Sequence, residues 1–172
     1  EDKYCDEARK KIRKACGDDS LAVHFLVGGT QTNVTVINAA LRKHQGVLCA
    51  VTGHINVHET GAVEACGHKV LGLPSPDGKI TAAQVAEAYE AHIHNDSFEH
   101  MVQPKMVYIS NPTEVGTIYS KAELTALSET CHKCGLYLFL DGARLGYGLA
   151  APDEDADAFS TLQGLSVNLE EE

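Results

Sequence analysis

The strongest constraint on this chain is an alternation of two patterns. Apolar runs of five or six residues recur at 22–27, 47–51, 69–73, 105–110 and 136–140. Runs that short, rich in Val, Ile, Leu and Phe, predict buried strands. Between them lie longer stretches with helical spacing, at 4–16, 32–42, 55–66, 81–91 and 120–134. Strand and helix in alternation predict an α/β fold, with a mostly parallel sheet covered by helices on both faces. An all-helical bundle and an antiparallel sandwich are excluded by the same pattern.

Local signals sharpen several boundaries. Ser120 and Glu123 form the S-x-x-E capping box that starts a helix, and Gly135 is placed to end it. Thr81 is the corresponding cap for the preceding helix, and Gly17 and Gly67 stop two earlier ones. Asn111-Pro112 forces a non-helical exit from the fourth strand. The stretch 92–103 is polar and reads as a loop. Beyond Leu149 only 157–167 could form a short strand or helix.

The chain has 172 residues, of which 44% are hydrophobic, enough for one ordinary globular domain and against disorder. Fourteen basic and 24 acidic residues give a net charge of -10. Seven of those acids, and no base, lie in 150–172, so the excess acidity belongs to the tail. Duplex nucleic acid requires clustered Lys and Arg, so no nucleic-acid partner is expected. No apolar run approaches bilayer length, and Glu1 to Asp6 has no apolar leader, so neither a membrane span nor a signal peptide is expected. The six cysteines read as reduced thiols and the location as cytoplasmic. Cys131-His132-Lys133-Cys134 has CxxC spacing but sits at a helix end, so it reads as two thiols in a last turn. His54-Ile-Asn-Val-His58-Glu59 is not the zincin order, and no metal site is expected.

Ligands in parallel sheets bind beyond the C-terminal strand ends. Three such ends carry chemistry-bearing residues. Gly28, Gly29 and Thr30 open a helix, where free N–H groups and the helix dipole suit phosphate as well as they suit an ordinary tight turn. His54 follows the second strand and could stack on a flat ligand or bond to it. Asp141 ends the most apolar strand, where a carboxylate needs a partner: a protonated ring nitrogen, a metal or Arg144. Arg144 could hold a carboxylate or phosphate by its fork.

These residues, read in order, carry a family resemblance. Val27-Gly28-Gly29-Thr30-Gln31-Thr32-Asn33, then His54 to Gly61, then Gly67-His68-Lys69-Val70, then Ser110 to Thr117, then Asp141-Gly142-Ala143-Arg144-Leu145 resemble the low-specificity threonine aldolases of the beta-eliminating lyase group. The resemblance implies the large domain of the aspartate-aminotransferase fold, with residues 1–150 as a partial cofactor-binding domain and 151–172 as an acidic tail. It implies pyridoxal phosphate as cofactor, a small amino acid as substrate and a homo-oligomer. The reaction implied is cleavage of a beta-hydroxy amino acid such as threonine to glycine and an aldehyde. Gly28, Gly29 and Thr30 would take the cofactor phosphate, His54 would stack on the ring, and Asp141 would pair with its nitrogen. Arg144 would hold phosphate or substrate carboxylate, and Glu59 would support the site. His54, Asp141 and Arg144 are thus the candidate catalytic residues.

The sequence departs from the family at one point. The Schiff-base lysine is expected some two dozen residues after Asp-Gly-Ala-Arg, yet 157–166 holds no lysine and the last one is Lys133. This leaves an alternative reading, a non-catalytic fragment or pseudo-enzyme domain that acts in binding or association.

Overall fold

The computed structural model describes residues 2–151. The acidic tail, the element expected at 157–167 and the stretch where the lysine is expected lie outside the described residues. In chain order the elements are α1 (Lys3–Cys16), α2 (Gly29–Ala40), β1 (Gln45–Ala50), α3 (His54–Val57), α4 (Ala62–Ala65), β2 (Lys69–Leu73), α5 (Ala82–Ile93), β3 (Gln103–Ser110), α6 (Lys121–Cys134), β4 (Tyr137–Asp141) and α7 (Leu145–Leu149). The strands form one sheet in the order β2-β1-β3-β4, and every pairing is parallel.

Alternation along the strands divides the core in two. Leu48 and Ala50 of β1, with Val107 and Ile109 of β3, pack against Val85 of α5 and against Leu124, Leu127 and Cys131 of α6. Val47, Cys49, Met106 and Tyr108 face the other way, onto Ile37 of α2, Ile55 and Val63. Tyr137 and Phe139 of β4 lie against this second cluster, and Asp141 shares their parity. Asp141 therefore projects on the α2 side of the sheet.

Close approach explains one glycine. A Cβ at Gly46 would lie 2.7 Å from the Lys69 carbonyl and 2.8 Å from Val102, beside the irregularity that shifts the β1–β3 register. Glycine lets the strands meet there.

The capping box at Ser120 and Glu123 forms as the sequence predicts, and Gly135 ends α6 in the left-handed region at φ 63°. Thr81 caps α5 with Gln84 as its box partner. Partial burial alone would raise the Glu123 carboxyl, but Lys79 at 2.7 Å and the Ser120 N–H and hydroxyl outweigh it and hold it below the usual glutamate range. A depressed folded pKa contributes stability above the ordinary glutamate value and loses it as pH falls through the folded value. Lys79→Met is therefore expected to flatten the acid limb of the stability curve, read from urea midpoints at successive pH values.

Three expectations change. The run 22–27 is not a strand, and it pairs with no strand among the described residues. A strand needs a neighbour for its backbone groups. Here instead Arg9 Nε donates to the Val23 carbonyl at 3.0 Å and Arg13 Nε to the Leu21 carbonyl at 2.8 Å, while Val27 is 97% exposed. The expected helix 55–66 is two short helices, because Thr60 (φ 52°) and Gly61 (φ 73°) turn the chain between them. The expected loop at 92–103 begins inside α5, with His92 buried, and includes a 3-10 turn at Phe98–His100.

Candidate active site

In this strand order the chain leaves β1 toward β2 on one side and leaves β3 toward β4 on the other. Connections that diverge in this way open a crevice between the two C-terminal ends. His54 follows β1, Ser110 ends β3 and Asp141 ends β4 in register with Ser110.

Three carboxylates organise the crevice. The Asp141 Oδ2 accepts from the Tyr108 hydroxyl at 2.6 Å and from Asn33 Nδ2 at 3.4 Å, and its Oδ1 accepts from the Ala143 N–H at 2.9 Å. Burial, with the hydrogen bond to Asp141, pushes the Tyr108 phenol well above its ordinary range, so it remains a donor. Glu59, whose side chain is fully buried, meets His54 Nδ1 at 2.8 Å and accepts from Asn33 Nδ2 at 2.7 Å through the same oxygen. Its other oxygen, Oε2, is buried without a partner. Glu114 accepts the Ser110 hydroxyl at 2.6 Å and the His54 backbone N–H at 3.1 Å, which joins the ends of β3 and β1. Arg144 reaches the same Glu114 oxygen at 4.0 Å and donates to the Pro112 carbonyl at 3.4 Å. Arg144 is thus tied to Glu114, and the partners of Asp141 are Tyr108, Asn33 and the Ala143 N–H.

Gly28 is the N-cap of α2 and Gly29 its first residue, with no side chain capping the helix. The first-turn N–H groups of a helix have no partner within it. A Cβ at Gly28 or Gly29 would meet nothing within 4 Å, so the chain's own packing does not require glycine there. Asn33 lies one turn further along α2 and touches both Glu59 and Asp141. The helix start therefore borders the carboxylate cluster.

The family model for beta-eliminating lyases matches residues 1–159. The chain belongs to the beta-eliminating lyase family. It is 34% identical over 152 residues to the low specificity L-threonine aldolase of a Pseudomonas species, a match covering 87% of this chain and 42% of that protein. The solved structure of Leishmania major threonine aldolase superposes with a TM-score of 0.88 at 45% identity, over 96% of this chain and 47% of that one. The PLP-bound C-S lyase of Staphylococcus hominis shares the fold at a TM-score of 0.58 and 16% identity, over 81% of this chain and 34% of that one. The parallel sheet flanked by helices is that of pyridoxal-phosphate proteins of the aminotransferase fold. The chain spans less than half the length of these relatives.

For a beta-eliminating lyase the residues present fit pyridoxal phosphate. An uncapped helix start with open space at its glycines suits a phosphate, and a carboxylate held by three donors suits a ring N–H. Sequence reasoning singled out His54, Asp141, Arg144 and the Gly28–Gly29–Thr30 turn, and left Glu59 as a support. It missed Asn33, Tyr108, Ser110 and Glu114 as partners. Asn33, Ser110 and Glu114 lie inside the motifs that carry the resemblance. Tyr108 and Ser110 share the parity that faces α2, but only the position of β4 beside β3 brings Tyr108 to Asp141.

Burial pushes the Cys49 and Cys131 thiols up to about 12, and none of the six cysteines is in a disulfide. Cys131 and Cys134 stand in the last turn of α6 as expected. Among the described residues no helix is long and apolar enough to cross a membrane.

Proposed function

We propose that this chain is the cofactor-binding core of a pyridoxal-phosphate-dependent lyase that cleaves a small beta-hydroxy amino acid, such as threonine, to glycine and an aldehyde. The observation that carries the reading is the meeting of Asp141, His54 and the α2 start through two buried residues, Asn33 and Glu59, at the C-terminal ends of a parallel sheet. The aldolase relatives supply the reaction class.

In this reading the N–H groups of Gly29 and Thr30 bind the phosphate, with Gly28 leaving them room. Asp141 would hold a proton on the ring nitrogen, and hydrogen bonds from Tyr108 and the Ala143 N–H fix the Asp141 side chain in place. Pyridoxal phosphate, when bound, supplies an electron sink for the pair released when the alpha–beta carbon bond breaks. His54 covers the ring and offers an imidazole nitrogen to the substrate. Arg144, steadied by Glu114, takes the substrate carboxylate or the phosphate. Residues 1–150 make up this core. The protein acts as a homo-oligomer in the cytoplasm, a reading supported by exposed Phe25, Val27 and Tyr147 and by six cysteines that form no disulfide.

Titration of the chain with pyridoxal phosphate, followed by absorbance, tests the reading. Saturable binding stronger than that of pyridoxal without phosphate is expected. Equal affinity for both, or no binding, overturns it. Borohydride reduction is expected to label no lysine at this site. Lys105, the nearest lysine by sequence to the active strand ends on β3, stands near that strand's opposite end and donates to the Gly135 carbonyl at 2.6 Å. The 172-residue chain is accordingly expected to turn over threonine only at trace rate, since loss of a general acid–base group typically costs ~10²–10⁴-fold.

A further inference from the structure

Asn33 and Glu59 occupy an unusual electrostatic position. Glu59 and Asp141 are carboxylates on different elements, and both lie within hydrogen-bonding reach of one nitrogen, Asn33 Nδ2. Asn33 is 3% exposed, so bulk water cannot take its place. The orientation of its amide follows from its neighbours: carboxylate oxygens accept, so the NH2 group must face them, with one hydrogen for each. An oxygen there would face two acceptors.

The same reasoning fixes the imidazole. The Glu59 Oε1 accepts from Asn33 and lies 2.8 Å from His54 Nδ1. A hydrogen bond between them requires the proton on Nδ1. In the neutral ring this leaves Nε2, on the edge away from Glu59, as a bare acceptor. A histidine without such a partner shares its proton between the two nitrogens. The His54 backbone is fixed as well, through its N–H on Glu114.

We propose that Asn33 and Glu59 are positioning residues: Glu59 holds His54 in the Nδ1–H tautomer, and Asn33 yokes that pair to Asp141 so that the acceptor Nε2 and the Asp141 carboxylate keep one mutual orientation. The proposal rests on the proposed function in taking this crevice as the site of reaction. Its consequence is a defined proton acceptor. His54 Nε2 can take a proton from the hydroxyl or ammonium group of a bound amino acid, while Glu59 stabilises the imidazolium that results, the role of the third group in base-activated sites. Neither Asn33 nor Glu59 needs to touch the substrate.

The test is a long-range proton–nitrogen NMR correlation on the 15N-labelled full chain without ligand, with the His54 signals identified by their loss in His54→Gln. In the wild type Nδ1 is expected to appear as the protonated nitrogen and Nε2 as the bare one. Glu59→Gln keeps an acceptor oxygen and is expected to preserve that pattern, whereas Glu59→Leu is expected to average the two ring nitrogens. Asn33→Leu, of similar size, leaves Glu59 beside Nδ1 and is expected to keep the proton there while weakening pyridoxal phosphate binding roughly 10-fold or more, the size of a lost hydrogen bond to a charged group. A wild-type ring protonated on Nε2, or an unchanged pattern in a folded Glu59→Leu chain, overturns the proposal. The wild-type and Glu59→Gln spectra decide it even if the leucine variants do not fold. If the chain takes up no pyridoxal phosphate, the proposed function fails while the tautomer result stands or falls by itself.

Discussion

Asp141→Asn is expected to weaken pyridoxal phosphate binding by about 10²-fold, because it removes a charged acceptor whose hydrogen bonds are each worth about 1.5–3 kcal/mol. The asparagine has the same shape and keeps an oxygen for the Tyr108 hydroxyl, which lies 2.6 Å from Oδ2 in the native chain. That single oxygen cannot also serve the Ala143 N–H, but this bond is exposed and water can replace it. The thermal midpoint is therefore expected to shift little. Asp141→Ala differs, since it strands the buried Tyr108 hydroxyl, and an unmade buried hydrogen bond costs about 1–3 kcal/mol. Absorbance titration beside thermal melting separates the two effects. A folded Asp141→Asn chain that binds the cofactor as tightly as the wild type would remove Asp141 from the proposed site.

Leu124→Ala is expected to be among the most damaging core substitutions, at about 2–5 kcal/mol. Leu124 is fully buried and packs among Leu48, Val107, Val85 and Leu127, where α6 and α5 meet the sheet. It also sits one position past the capping box, so α6 can neither slide nor rotate to fill the space without breaking the Lys79–Glu123 pair and the Ser120 cap. Cavity collapse is thereby restricted, which pushes the cost toward the upper part of that range. Urea unfolding monitored by circular dichroism measures it. A midpoint change worth less than 1 kcal/mol would mean that the α6 face repacks freely.

The long, locally determined elements were legible in the sequence. Four of the five expected strands form, and α6 begins and ends where Ser120, Glu123 and Gly135 dictate, because caps and apolar periodicity act within a few residues of chain. The sites at strand ends were legible for a related reason. In a parallel sheet every strand points the same way, so residues that each follow a strand converge without any knowledge of strand order. His54 and Asp141 could be named on that ground alone.

What required the tertiary structure were the features that depend on a neighbour distant in the chain. The run 22–27 has strand composition, but strand formation is a property of a pair, and Arg9 and Arg13 of α1 take the Val23 carbonyl and that of Leu21 just before the run instead. The partner of Asp141 is not Arg144, three residues away, but Tyr108 and Asn33, which reach it because β3 lies beside β4 and α2 covers that face. The pairing of His54 with Glu59 depends on the turn at Thr60 and Gly61, which interrupts a segment whose apolar spacing predicts one helix. The role of Asn33 was invisible for the plainest reason. Its meaning lies in two carboxylates, 26 and 108 positions along the chain, that only folding brings to one nitrogen. Sequence alone determined the layered fold and placed candidate residues after two of its strands; the tertiary structure decided which groups are hydrogen-bonded there, since hydrogen bonding requires placement to within a fraction of an ångström that no local pattern encodes.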